Sequence, residues 1–342
     1  MKDVLKKIFV HLVVLILISA GFKTVNAAAN NATNSDIVIG IAWRADIDSE
    51  FYTNVCKVFA QEGIKTVLLD KVVSKDVSYD EDGLVSENCT FEVGHLKDKF
   101  AKKIKNNPFK NSNVKEVVKE VDAVIFTGGE DISPTLLKKV TKWHGIEEEI
   151  DFNATRDVSD YILMSYCLEN DIPMMGFCRG MQMLAVVSGG KMIGDIPTYF
   201  KNKGLNYNYE HRNQKATPDS YRDYAPHDVQ IIDKNSIVYS IYGTDTVKNV
   251  PSWHHQAVES VEDTDLAVTA ITPTAGIDMI EAIERTDKTF AIGLQFHPEA
   301  AAVKHLENKN NPNKYMDYDT AMKSFKYLIN YLRRANNESK AA

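Results

Sequence analysis

Cysteine is scarce in this 342-residue chain, with four residues at positions 56, 89, 167 and 178. Their spacing matches no repeated C-x-x-C pattern, so a thiolate zinc module is excluded and no metal site is expected. Positive charge is in deficit: 40 Lys and Arg stand against 47 Asp and Glu, a formal net of −7. A body of that sign has no electrostatic footprint for nucleic acid. There is no Pro/Gly/Ser-rich linker, no internal repeat and no heptad pattern, which argues against separate domains, a solenoid or a coiled coil. Long hydrophobic runs are also lacking, apart from one at the N-terminus.

That run, Ile8–Ile18, follows Lys2, Lys6 and Lys7 and precedes Ala27, Ala28 and Ala29. A basic start, a short apolar stretch and small residues form the pattern of a secretory signal. The run is too short to span a bilayer comfortably, and no cysteine follows it to carry a bacterial lipid anchor. The expectation is a signal peptide over 1–27, cleaved near Ala27 or Ala29, then a polar lead-in over 28–35 and one domain over 36–342. An uncleaved anchor is the alternative. Residues 1–27 hold Lys2, Lys6, Lys7 and Lys23 against Asp3, so cleavage takes the charge from −7 to −10. The mature protein is then expected to be periplasmic or extracellular, with no stable insertion in the membrane. Export permits disulfides. A Cys56–Cys89 pair is one option, and N-x-S/T triplets begin at Asn31, Asn88, Asn153 and Asn337.

Beyond the leader, apolar strand-like runs alternate with helical ones. Strands are expected at Asp36–Trp43, Ile64–Leu69, Asp122–Phe126, Ile172–Phe177, Asp228–Ile232, Ala267–Ile271, Ile277–Ile283 and Phe290–Phe296. Helices are expected at Ser49–Glu62, Val114–Glu120, Asp157–Glu169, Arg179–Val187 and near Thr320–Arg334. Residues 71–112 read as a loop or insertion flanking a short helix, and 195–226 as an irregular loop. The alternation predicts an α/β fold with a mostly parallel sheet covered on both faces.

Three motifs sit at strand ends. Gly176-Phe177-Cys178-Arg179-Gly180 has the G-x-C-x-G form of a nucleophile elbow between a strand and a helix. The flanking glycines remove Cβ atoms from a sharp turn, and the helix N-terminus favours a thiolate. Cys167, in a helical run without glycines, reads as core. Gln295-Phe296-His297-Pro298-Glu299 ends a late strand, and its carboxylate can orient an imidazole whose other nitrogen faces a thiol. Phe126-Thr127-Gly128-Gly129-Glu130-Asp131 follows a buried strand, where glycines allow close backbone approach. A loop amide there and the Arg179 N–H are candidate donors to an oxyanion. Each motif alone also has a plain structural reading: a buried cysteine, a surface turn, a tight Gly-Gly turn.

Together the motifs resemble the class I glutamine amidotransferase-like superfamily, and within it the γ-glutamyl-γ-aminobutyrate hydrolase family of cysteine peptidases. The resemblance is carried by FTGGEDISP (126–134), TRDVSDYIL (155–163), IPMMGFCRGMQMLAVVSGGKMIGDI (172–196), VPSWHHQAV (250–258), GIDMIEAIE (276–284) and IGLQFHPEA (292–300). It implies a flavodoxin-like single domain, a triad of Cys178, His297 and Glu299, and an oxyanion hole from Gly128, Gly129 and Arg179. It implies that Gln182, His254, His255 and Gln256 line the substrate pocket. The implied activity is hydrolysis of γ-glutamyl amides through a glutamyl thioester, with a small-molecule substrate and no cofactor. A homodimer is left open. Two positions depart from the family pattern: Pro251 stands where Asn is usual, and Asp160 where Glu is more frequent. A glutaminase subunit serving a synthase, or a non-catalytic binding protein on the same scaffold, are the competing readings.

Overall fold

The computed structural model describes residues 37–106, 108–139, 149–215, 217, 220, 222–308 and 314–341. The expected leader and lead-in therefore lie outside the described residues. Eleven strands are present among the latter: β1 (Val38–Ile41), β2 (Lys65–Leu68), β3 (Ala123–Phe126), β4 (Met174–Phe177), β5 (Lys191–Ile193), β6 (Ala225–Ile231), β7 (Thr246–Ser252), β8 (Ala257–Ser260), β9 (Leu266–Thr274), β10 (Ile277–Arg285) and β11 (Ala291–Leu294).

Nine of them form one sheet in the order β2-β1-β3-β4-β11-β10-β9-β6-β7. The first five run parallel, and the last four continue the sheet by antiparallel pairing. The α/β architecture is thus as expected, with an antiparallel half added beyond β11. A separate two-stranded ribbon pairs β5 with β8. The sequence reading missed β5, β7 and β8, and it missed the helix Ile196–Asn202 inside the supposed loop 195–226.

Strand periodicity sorts the parallel half onto two faces. Ile39, Ile41, Ala123, Ile125, Met175, Phe177, Ile292 and Leu294 bury into one core, shared with Val55, Val58 and Phe59 of the helix Glu50–Gln61 and with Phe325 and Leu328 of the C-terminal helix Tyr318–Ala341. Val124, Phe126, Met174 and Ala291 face the other way, toward Val158 and Ile162 of the helix Ala154–Glu169 and Met181 and Leu184 of the helix Arg179–Ser188. Both faces are covered, which is why these strands read as continuous apolar runs rather than alternating ones.

The helix Arg179–Ser188 lies unusually close to the sheet. A Cβ on Gly176 would stand 2.4 Å from the Gly180 carbonyl carbon, and one on Gly180 would stand 2.3 Å from the Phe126 carbonyl oxygen. Both glycines of the elbow motif are therefore required by backbone contact, as its sequence suggested.

All four cysteines are free thiols, so the Cys56–Cys89 disulfide does not form. Cys89 is buried and engaged by the Ser78 hydroxyl at 3.3 Å, and Cys56 lies on the helix Glu50–Gln61. Asn153 of the N-x-S/T triplets caps a helix by accepting from the Arg156 N–H at 3.0 Å. Among the described residues no helix is long and apolar enough to cross a membrane.

Candidate active site

In open α/β sheets, functional groups gather where parallel strands end. Four strand ends meet here. Arg44 follows β1, Thr127-Gly128-Gly129 follows β3, Cys178 follows β4, and Gln295–His297 follows β11. The register pairs Phe177 of β4 with Leu294 of β11, and the Cys178 N–H donates to the Leu294 carbonyl at 2.8 Å. Residues 178 and 297 are thereby brought to one edge from 119 positions apart in the chain.

Cys178 is the N-cap of the helix Arg179–Ser188 and has φ +49° and ψ −104°. That backbone conformation costs about 1–3 kcal/mol for a non-glycine residue. It is held by the strand on one side and the close-packed helix on the other. The turn aims the thiol at a cleft of about 360 Å³ that is also lined by Phe51, Gly129, Gln182, Trp253 and Arg212. Cys178 is 5% exposed, and its Sγ lies 3.9 Å from the Trp253 carbonyl oxygen.

His297 is fully buried between two rings, with centroids 5.1 Å from Phe51 and 5.3 Å from Tyr224. Its N–H donates to the Pro251 carbonyl at 2.9 Å, so the residue that departs from the family pattern still supports the base through its backbone. Glu299 accepts from His297 Nδ1 at 2.6 Å, which leaves the buried Nε2 without a hydrogen-bond partner among the described residues other than the neighbouring Cys178 thiol. Burial by itself would lower the imidazole pKa. The charge of the Glu299 carboxylate first, and then the interaction with Cys178, outweigh it and hold the ring up at about 10.

Gly128 and Gly129 stand beside this pair. A Cβ on Gly128 would come within 2.7 Å of His297 Cε1, and one on Gly129, at φ +145°, within 2.0 Å of Arg156 Nη1. The Arg179 N–H lies in the first helical turn, where amides have no intrahelical acceptor. Its side chain faces away from the cleft and is wholly buried.

Behind the loop lies a charge network that sequence reasoning missed. Arg179 pairs with Asp157 at 2.6 Å and with Asp160, while Arg156 pairs with Glu130 and reaches Asp160 at 3.3 Å. Arg156 Nη2 donates to the carbonyls of Thr127 at 2.9 Å and Gly128 at 3.0 Å, and Arg44 Nη1 donates to the Gly128 carbonyl at 3.2 Å. Two guanidinium groups thus fix the carbonyl side of the loop, and Gly129 of that loop lines the cleft. Asp160, the second departure from the pattern, is long enough to meet both arginines. Burial raises the Asp157 carboxyl to about 6 against the opposing pull of Arg179 and the Ser133 hydrogen bonds. The only signal in the sequence was charge inside an otherwise apolar helix, T-R-D-V-S-D.

The expected pocket residues are placed as follows. Gln182 is buried, not a surface helix residue; its Nε2 donates to the Gln256 carbonyl at 3.0 Å. His255 bridges Asp131 at 2.9 Å and Asp195 at 3.1 Å, and these carboxylates overcome burial to hold its pKa near 9. Gln256 Nε2 donates to the Gly194 carbonyl at 3.3 Å. His254 borders the cleft, but its Nδ1 is bonded to the Gln256 carbonyl at 2.8 Å and its Nε2 turns toward the buried Glu281.

Residues 105–299 match the family model described as Peptidase C26. Protein NtpR of Enterococcus hirae is 30% identical over 182 residues, covering 53% of this chain and 68% of that protein. A gamma-glutamyl-gamma-aminobutyrate hydrolase of Escherichia coli O157:H7 is 30% identical over 156 residues, covering 44% of this chain and 56% of that one. Among solved structures, a glutamine amidotransferase from Thermotoga maritima is similar over 86% of this chain and 96% of its own, at 15% identity and a TM-score of 0.43.

Proposed function

The chain belongs to the Peptidase C26 family, and from that premise and the cleft geometry we propose that it hydrolyses γ-glutamyl amide bonds with Cys178 as nucleophile, His297 as acid and base, and Glu299 as the group that orients His297. The observation that carries the reading is the chain of contacts from Glu299 through His297 to a cysteine held at a strained elbow on the cleft wall.

The Cys178 thiolate attacks the side-chain carbonyl carbon of a γ-glutamyl group. The carbonyl π pair moves to oxygen, and the resulting oxyanion is met by amides of the 128–129 loop and of Arg179, donors already fixed before the reaction. The tetrahedral intermediate collapses, the C–N bond breaks, and the imidazolium proton passes from Nε2 to the leaving amine. Neutral His297 then takes a proton from water, whose oxygen attacks the thioester. Glutamate leaves, and the thiolate and imidazolium are restored.

A cleft of about 360 Å³ suits a glutamyl group with a small amine. Its lining carries Asp46, Glu130, Asp131 and Asp151 for an α-ammonium. It also carries Arg212, whose buried Nε has no partner, for an α-carboxylate. The basic, apolar and small-residue pattern of residues 1–27 supports action outside the cytoplasm, which fractionation of cells expressing the full chain would test.

The functional test is a panel of γ-glutamyl compounds, including γ-glutamyl-γ-aminobutyrate, γ-glutamyl dipeptides and glutamine, assayed with wild type and Cys178→Ala. Amine release from one or more γ-glutamyl compounds by wild type alone supports the reading. Hydrolysis of none of them, or equal turnover by Cys178→Ala, removes it.

A further inference from the structure

Beyond the cleft, four buried side chains from distant positions converge in the antiparallel half of the fold. They are His211 from the loop after the helix Ile196–Asn202, His227 of β6, His254 from the connection between β7 and β8, and Glu281 of β10. Glu281 Oε1 lies 3.1 Å from His211 Nδ1, 3.4 Å from His227 Nε2 and 3.8 Å from His254 Nε2. None of these three nitrogens, and neither oxygen of Glu281, makes a hydrogen bond of normal geometry, although all five are fully buried.

The other nitrogen of each ring fixes what faces Glu281. His227 Nδ1 is 3.0 Å from the Glu210 carbonyl, and His254 Nδ1 is 2.8 Å from the Gln256 carbonyl. A carbonyl only accepts, so both rings carry their proton on Nδ1 and a neutral ring presents a lone pair at Nε2. His211 Nε2 is 2.8 Å from Thr274 Oγ1, whose own proton goes to the Thr272 carbonyl at 3.3 Å. Thr274 therefore accepts, and His211 presents a lone pair at Nδ1. Three lone pairs and a carboxylate thus point at one another in a buried interior, an arrangement that calls for positive charge at its centre, supplied by a metal ion or by a proton on one of the rings.

We propose that His211, His227, His254 and Glu281 form a closed, four-coordinate site for a divalent transition metal, with zinc the ion the donor set suits best. Ligands at zinc's usual 2.0–2.2 Å in a tetrahedron lie about 3.3 Å apart, and the three distances to Glu281 Oε1 bracket that spacing. Atoms of His211, His254 and Glu281 all fall within 4.8 Å of one another and form the compact core of the site, while His227 lies outside that cluster and approaches it through Glu281 Oε1 at 3.4 Å. Imidazoles whose far nitrogens are held by backbone and hydroxyl partners are the usual supporting shell of such a centre. The backbone is shaped for it as well: the β9–β10 ladder shifts register between Ile280 and Ala282, and the β6–β7 ladder between His227 and Val229. Bulges of this kind re-aim individual side chains.

The site's role is positional. It ties His211 and the neighbouring 205–215 segment, together with the 253–256 segment, to the sheet, and the latter carries Trp253, His255 and Gln256 on the cleft wall. The proposal does not depend on the assigned hydrolytic activity.

The test is metal content of the full chain expressed in zinc-supplemented medium, by inductively coupled plasma mass spectrometry, with thermal unfolding before and after chelator treatment. The expected result is about one zinc per chain in wild type and in Cys178→Ala, lost in Glu281→Gln and His227→Asn. Chelation should lower Tm, and Zn²⁺ but not Mg²⁺ should restore it. If the variants do not fold, the wild-type measurements stand alone. A wild-type chain that is isolated without metal and whose Tm ignores added Zn²⁺ overturns the site in favour of a shared proton. Full metal retention by folded Glu281→Gln and His227→Asn overturns it equally.

Discussion

Replacing Glu299 with Gln keeps the shape of the side chain and removes its charge. The bond from His297 Nδ1 to Glu299 Oε1 is 2.6 Å long and fully buried, so it is a charge-assisted bond without solvent competition. Such bonds contribute about 1.5–3 kcal/mol, and losing that from the reactive ion pair lowers kcat/KM by roughly 10- to 150-fold. The same carboxylate helps hold the imidazole near 10, so its loss lowers the ring pKa. The sign follows from the raised value: the protonated ring is stabilised in the folded state. Its contribution is complete below the unfolded histidine pKa and is lost as pH rises toward 10. Wild type should therefore keep activity on the alkaline side until near pH 10, while the stability contributed by this group declines from the unfolded histidine pKa upward, and Glu299→Gln should lose activity at lower pH. Steady-state rates from pH 5 to 11 with a γ-glutamyl anilide would show this. An unchanged alkaline limb together with kcat/KM within twofold of wild type would refute the assigned coupling of Glu299 to His297.

Other perturbations test the remaining parts. Gly129→Ala places a Cβ 2.0 Å from Arg156 Nη1 at φ +145°, and strain plus overpacking should cost about 2–5 kcal/mol by urea unfolding. Asp160→Asn removes one of the two carboxylate charges that compensate the buried guanidinium of Arg179, so a loss of about 3–5 kcal/mol is expected in the same assay. Arg212→Lys replaces a planar donor with a point charge, and should raise KM for γ-glutamyl substrates roughly tenfold with kcat little changed.

The readable parts of the sequence were those in which adjacent residues carry the whole geometry. G-F-C-R-G encodes a sharp strand-to-helix turn by itself, because the glycines answer contacts made within a few residues and with one neighbouring strand. H-P-E encodes its ring-to-carboxylate bond within one helical turn. The strands beneath them are buried on both faces, and continuous apolar runs announce that directly. What could not be read depends on pairing between distant segments. Arg44, Glu130, Arg156 and Asp160 become a network only when β1, β3 and the helix Ala154–Glu169 are placed side by side. His211, His227, His254 and Glu281 are single residues on four elements, brought together by two bulges that no local pattern marks. The supposed Cys56–Cys89 pair had only compartment chemistry behind it, and the fold gives the two thiols separate environments.

Capture of the acyl-enzyme tests the central claim most directly. Wild type mixed with a γ-glutamyl anilide and acid-quenched within the first turnovers should yield, by intact and peptide mass spectrometry, a single glutamyl adduct on the peptide bearing Cys178, released as glutamate on longer incubation. Turnover without any adduct on Cys178 and undiminished in Cys178→Ala, or an adduct confined to Cys56, would contradict it.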